Sequence, residues 1–79
     1  MIEKIKAMGL NATEDELMID VTGDNEKLLE LKAILDTEGY ENDTKTMQLL
    51  FGIPAPEDDE VNRILINYTC GVNGYLLVA

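Results

Sequence analysis

Between Asn25 and Gly52 the apolar residues fall at the spacing of a buried helix face, and this constrains the fold more than any other feature of the chain. Leu28, Leu31 and Leu35, with Ile34 one notch round, recur at three- and four-residue intervals, so one side of a helix must meet a partner surface. Asp24 or Asn25 can cap its start. Gly39 can end it, because glycine reaches the left-handed conformation without the clash a Cβ brings. After Tyr40, Asp43 or Thr44 offers a second cap, and Met47, Leu50 and Phe51 predict the apolar stripe of a shorter helix closed by Gly52 and Pro54. Two helices joined by a short turn are therefore expected to form the scaffold.

The flanking segments supply strands. Ile2, Ile5 and Met8 line one side of a short helix or turn that Gly9 ends, a lid over the core. Residues 11–15 read as a polar connection carrying the start of a first acidic cluster, Glu14, Asp15 and Glu16. Leu17, Ile19 and Val21 then alternate with Met18, Asp20 and Thr22, the period of a strand with one buried face, and Gly23 and Asp24 turn it into the central helix. Ile53 to Glu60 reads as a rigid, extended linker, since its two prolines each fix their own backbone and disfavour helix at the residue before. For 57–69 two readings stand. Val61, Ile64, Leu65 and Tyr68 would line a helix, whereas Ile64, Ile66, Tyr68 and Cys70 would line a strand. Asn67, Tyr68 and Thr69 are poor helix formers, and Gly71 to Gly74 is a turn into the apolar run Tyr75 to Ala79. A terminal hairpin is the favoured reading, because it would join the strand at 16–22 in a three-stranded sheet. The expected fold is α+β: a small single domain over residues 1–79, with helices packed on a two- to three-stranded, mostly antiparallel sheet.

With 79 residues the chain can bury about 60% of its unfolded surface, so the core is small and homodimerisation would be one way to enlarge it. The lone Cys70 allows no internal disulfide and reads as a small buried hydrophobe in a reducing compartment. No apolar run approaches the roughly 18 residues of a membrane span, and the opening residues lack the form of a signal peptide, so a cytoplasmic location is expected.

Charge sets the function class. Sixteen acidic residues stand against six basic ones, histidine is absent, and the net charge is −10. Such a body repels nucleic acid and anionic membrane, because binding a phosphate backbone needs lysine and arginine to displace counterions. Catalysis also lacks its usual groups: the chain has no histidine for base or metal work, no serine nucleophile and no glycine-rich phosphate loop. Adjacent carboxylates on polar segments are solvated charge rather than a tuned acid and base. Glu57, Asp58, Asp59 and Glu60 lack the spaced ligands and central glycine of a calcium loop. No enzyme activity, metal or cofactor is expected.

Residues 16–51 resemble a ribbon-helix-helix domain, the small dimeric fold of many bacterial repressors and antitoxins. The likeness is carried by a strand, a helix ending in Glu38, Gly39 and Tyr40, and Asn42, Asp43 and Thr44 opening a second helix. The resemblance implies strands paired between two subunits in the major groove, with Met18, Asp20 and Thr22 or Glu16 facing the bases. Those positions carry carboxylates, where base recognition uses arginine, lysine, asparagine or glutamine.

The carboxylates therefore read either as a solubilising coat or as an interaction surface. In the second reading the protein docks on the basic surface of a nucleic-acid-binding protein or complex and occupies the groove meant for DNA or RNA. In size, charge and absent catalytic residues it is similar to the small acidic anti-CRISPR and anti-restriction inhibitors encoded by phages. The contact residues on this reading are Glu14, Asp15, Glu16 and Asp20 beside the strand, Glu57, Asp58, Asp59 and Glu60 on the linker, and Glu38, Glu41 and Asp43 at the helix junction.

Overall fold

The computed structural model describes residues 1–16, 18–52, 54–67 and 73–79. Among these the chain order is α1 (Ile2–Ala7), β1 (Asn11–Glu14), β2 (Met18–Thr22), α2 (Asn25–Thr37), β3 (Glu41–Asn42), α3 (Thr44–Phe51), a 3-10 turn (Asp58–Glu60), β4 (Arg63–Asn67) and β5 (Gly74–Val78). The fold is α+β, and the sheet has five strands in the order β1-β2-β4-β5-β3. Four of them run as an antiparallel series, and only the two-residue β3 lies parallel to its neighbour, β5.

The central helix forms where the leucine spacing predicts it. Leu28, Leu31 and Leu35 are all buried, against an inner sheet face built by Ile19 and Val21 of β2, Ile64 and Ile66 of β4, and Tyr75 and Leu77 of β5. Ile5 of α1 and Val61 complete the same core. Asp24 occupies the N-cap position without a side-chain cap bond, and its carbonyl accepts from Leu28 N–H at 2.9 Å. At the other end Gly39 turns left-handed (φ 89°), and the Tyr40 and Gly39 amides donate to the Leu35 and Asp36 carbonyls at 3.0 and 3.2 Å. That double bond pattern satisfies carbonyls the helix end would otherwise leave open.

Four expectations need correction. Residues 11–14 are not a loose connection but edge strand β1, paired with β2 from Asn11↔Thr22 to Glu14↔Ile19. Pairing rather than local patterning makes this strand, since only Ala12 of it packs toward the core. The linker is not extended throughout: Asp58–Glu60 close a 3-10 turn, in which the Glu60 carboxylate accepts from Glu57 N–H at 3.0 Å. The stripe of α3 is not buried, because Leu50 is 68% and Phe51 65% exposed, with Leu49 at 86%. The scaffold is consequently the sheet with α2, and α3 lies at its margin.

The hairpin reading of the C-terminal third matches the structure, with β4 and β5 antiparallel from Arg63↔Val78 to Asn67↔Gly74. Its turn, with Tyr68, Thr69, Cys70 and Gly71, lies outside the described residues, as does Leu17. Strand β2 is hydrogen-bonded on both edges, to β1 and β4. A ribbon-helix-helix arrangement would leave that strand an edge free for a second subunit.

Candidate functional site

The sheet separates two kinds of surface. Its inner face is closed by α2 and α1, while its outer face carries the opposite side chains of the same strands. Opposed residues share a face, so the register lays out the outer face as three rows: Met18, Asn67 and Gly74; then Thr13, Asp20, Leu65 and Leu76; then Asn11, Thr22, Arg63 and Val78. Met18, Leu65, Leu76 and Val78 on the strands, with Met47 of α3 and Pro54 beyond it, line an apolar groove of about 360 Å³. The groove continues past Asp43, Asn67 and Gly74 at one end. Sequence periodicity gave no sign of it, because each strand contributes only one or two of these residues.

Gly74 has a steric role at that end. A Cβ there would run into the Asp43 carboxylate, so glycine lets the start of α3 sit down on β5. Thr44 continues the contact: its hydroxyl accepts from Leu77 N–H at 3.0 Å, and its own amide donates to Asn42 Oδ1 at 3.0 Å. β3 is too short to cover this edge of β5, and the Thr44 side chain takes its place.

The acidic residues gather at the two ends of the sheet. Glu14 ends β1 and Asp15 and Glu16 follow it, and Asp15 Oδ1 accepts from Met18 N–H at 2.9 Å. Helix α2 runs back to this same end, bringing Glu38 and then Glu41, which pairs with Gly74, and Asp43. Glu14 and Tyr40 line one open pocket with Met1 and Ile19, which brings the first predicted cluster beside the residue that lies between Glu38 and Glu41 of the third. Glu57, Asp58, Asp59 and Glu60 lie at the opposite end. There the Asn25 side-chain amide donates to the carbonyls of Asp58 at 2.7 Å and Val61 at 3.0 Å, clipping the 3-10 turn to the start of α2. A five-residue strand at about 3.3 Å per residue puts roughly 13 Å between the two ends. Asp24 and Glu26 flank Asn25 and enlarge the second group. Sequence reasoning missed them, because only the Asn25 bonds bring the linker to that helix.

Asp20 belongs to neither group. It stands mid-face with Arg63 Nε 3.1 Å from its Oδ1, at ion-pair distance, yet that oxygen accepts no hydrogen bond, so the attraction is Coulombic only. Lys4 pairs with Glu38 at 3.2 Å and Lys32 with Asp36 at 3.0 Å. Among the described residues no base lies within ion-pair distance of Glu14, Glu16, Glu41, Asp43 or Glu57 to Glu60. Asp36 is drawn into the fold instead: the Tyr75 hydroxyl donates to it, and that bond, then the one from Lys32, holds its carboxyl below the usual range. Among the described residues no three carboxylates or thiols converge as a metal-binding set, and no helix is long and apolar enough to cross a membrane.

No protein-family model matches the chain, and neither a curated protein nor a solved structure matches it. Site chemistry therefore has to carry the functional reading.

Proposed function

We propose that this chain is a small acidic protein-binding module that docks on the basic surface of a nucleic-acid-handling protein, as an inhibitor or decoy of the DNA-mimic kind. The observation that carries this is the segregation of charge. Half of the six bases are spent on Glu38, Asp36 and Asp20, and among the described residues Glu14, Glu16, Glu41 and Asp43 at one end of the sheet and Glu57 to Glu60 at the other have no base within ion-pair distance. Duplex DNA carries one charge per about 1.7 Å of axis, so a cationic groove built for it attracts a dense carboxylate cluster and speeds its arrival. The longest extents of the molecule, 33 × 31 Å, bring both ends within reach of one interface of standard size, about 800 Å² per partner.

The test is affinity capture at low and high salt, using the wild-type chain beside one variant with Glu57 and Glu60 changed to Gln and another with Glu14 and Glu16 changed to Gln. A basic nucleic-acid-binding protein retained at low salt, and lost at high salt and with each variant, is the expected result. Capture that neither salt nor charge removal alters would reduce the acids to a solubilising coat.

A further inference from the structure

The acids alone do not account for the outer face. Soluble domains rarely leave a contiguous apolar patch uncovered, and here a groove lined by Met18, Met47, Leu65 and Leu76 lies beside a helix whose Leu49, Leu50 and Phe51 are 86%, 68% and 65% exposed. Methionine at the base of such a groove adapts to differently shaped occupants, because its unbranched thioether repacks cheaply.

Charge selects the occupant. Among the described residues the only acid on the outer face of β2, β4 and β5 is Asp20, and Arg63 offsets it, so the groove floor is close to neutral. One end is acidic, and the other lies near an acidic turn. Asp43 lines one end, with the Asp15 carboxylate bonded to the Met18 amide close by. Pro54 and Val78 lie at the other, where Asn62 N–H donates to the Val78 carbonyl at 2.9 Å and the Glu57 to Glu60 turn leads through Asn62 into the neighbouring strand β4. A second copy of this chain fits poorly, since a two-fold face-to-face pairing sets one body of charge −10 against another. An apolar ridge flanked by lysine or arginine fits both the floor and the ends.

We infer that the outer-face groove between α3 and strands β2, β4 and β5 binds an amphipathic helix with basic flanks on the partner protein. The inference rests on the acidic-docking reading and adds the site and shape of the contact. Leucine-type anchors of the incoming helix enter the groove at helical spacing, Met47 forms its α3 wall with Leu50 and Phe51 continuing that apolar face one turn along the helix, and the carboxylates near its ends meet the flanking cations.

The test uses synthetic peptides of about 14 residues. One is a leucine–lysine peptide with leucines at helical spacing, one a scramble of the same composition, and one a leucine–glutamate counterpart. Binding is measured by titration against the wild-type chain and against Leu50→Ser and Phe51→Ser. Both residues are exposed, so the variants should keep the wild-type melting temperature. The amphipathic basic peptide should bind, with affinity falling about tenfold or more in each variant and for the scramble. Equal binding of the scramble, unaffected by the variants, overturns the groove while leaving acidic docking intact. Equal binding of the glutamate peptide overturns both. If no peptide binds, the inference fails; a dimer in sedimentation that Leu50→Ser makes monomeric would then assign the face to a second copy.

Discussion

The hydroxyl of Tyr75, on the last strand, donates to the carboxylate of Asp36, on the central helix, and fastens the end of the chain to its middle. Tyr75 is otherwise buried on the inner sheet face, so only its polar tip reaches the helix rim. Burial first, and the adjacent Asp36 carboxylate second, push the Tyr75 phenol above its ordinary pKa, while the same bond lowers that of Asp36.

Two pH windows follow from these directions. Asp36 titrates lower folded than unfolded, so its contribution is complete above about pH 4 and is lost as acid protonates it. Tyr75 titrates higher folded than unfolded, so its contribution is complete below about pH 10 and is lost as alkali ionises the unfolded chain first. Tyr75→Phe should cost about 1 kcal/mol near neutrality, a value kept low because Asp36 is largely solvated. The gap between the urea midpoints of the two proteins should narrow as the pH falls below about 4 and again as it rises above about 10. A gap that stayed constant with pH would assign the loss to packing instead.

The leucine stripe of α2 was legible because one helix face buries three residues at one spacing, and the alternation in β2 because Ile19 and Val21 share a buried side. Strand β1 was not, since its place is conferred by partners remote in sequence rather than by its own pattern. The stripe of α3 misled in a different way. A periodic apolar face announces a surface to be covered, and Leu50 and Phe51 show that the described residues of the chain can leave such a face open. The acidic clusters were readable as residues, but their sorting to two ends of the sheet depends on the Asn25 clip and on the return of α2.

That clip can be tested with one atom's change of character. Asn25→Asp replaces the amide donor by an oxygen facing the Asp58 and Val61 carbonyls, and should cost about 1–3 kcal/mol at neutral pH. The penalty should shrink below about pH 4, where the substituted carboxyl is protonated and regains a donor. Faster amide exchange confined to residues 57–62 would locate the effect, whereas a penalty unchanged by acid would count against it.

Thr44 offers a cleaner contrast, because Val and Ser divide its two properties. Thr44→Val keeps the shape but leaves the buried Leu77 N–H without its acceptor, which should cost about 1–3 kcal/mol. Thr44→Ser keeps the oxygen and loses one methyl, worth about 0.8 kcal/mol. Chemical denaturation should therefore rank wild type, Ser, then Val. The reverse order would mean that the methyl, not the hydroxyl, seals the edge of β5.

The division between covered and uncovered apolar faces makes the last prediction. Leu35 sits fully buried between α2 and the sheet, and Leu35→Ala should remove about 2–5 kcal/mol, a large part of the stability of a domain this small. Leu50→Ala, which removes the same atoms from a residue 68% exposed, should change stability by about 0.5 kcal/mol or less. The same substitution should weaken binding of the basic amphipathic peptide, because it thins the uncovered patch. A destabilisation from Leu50→Ala comparable to that from Leu35→Ala would place α3 inside the cooperative core. The patch would then be a second packed face, and the groove beside it would lose its claim to an outside partner.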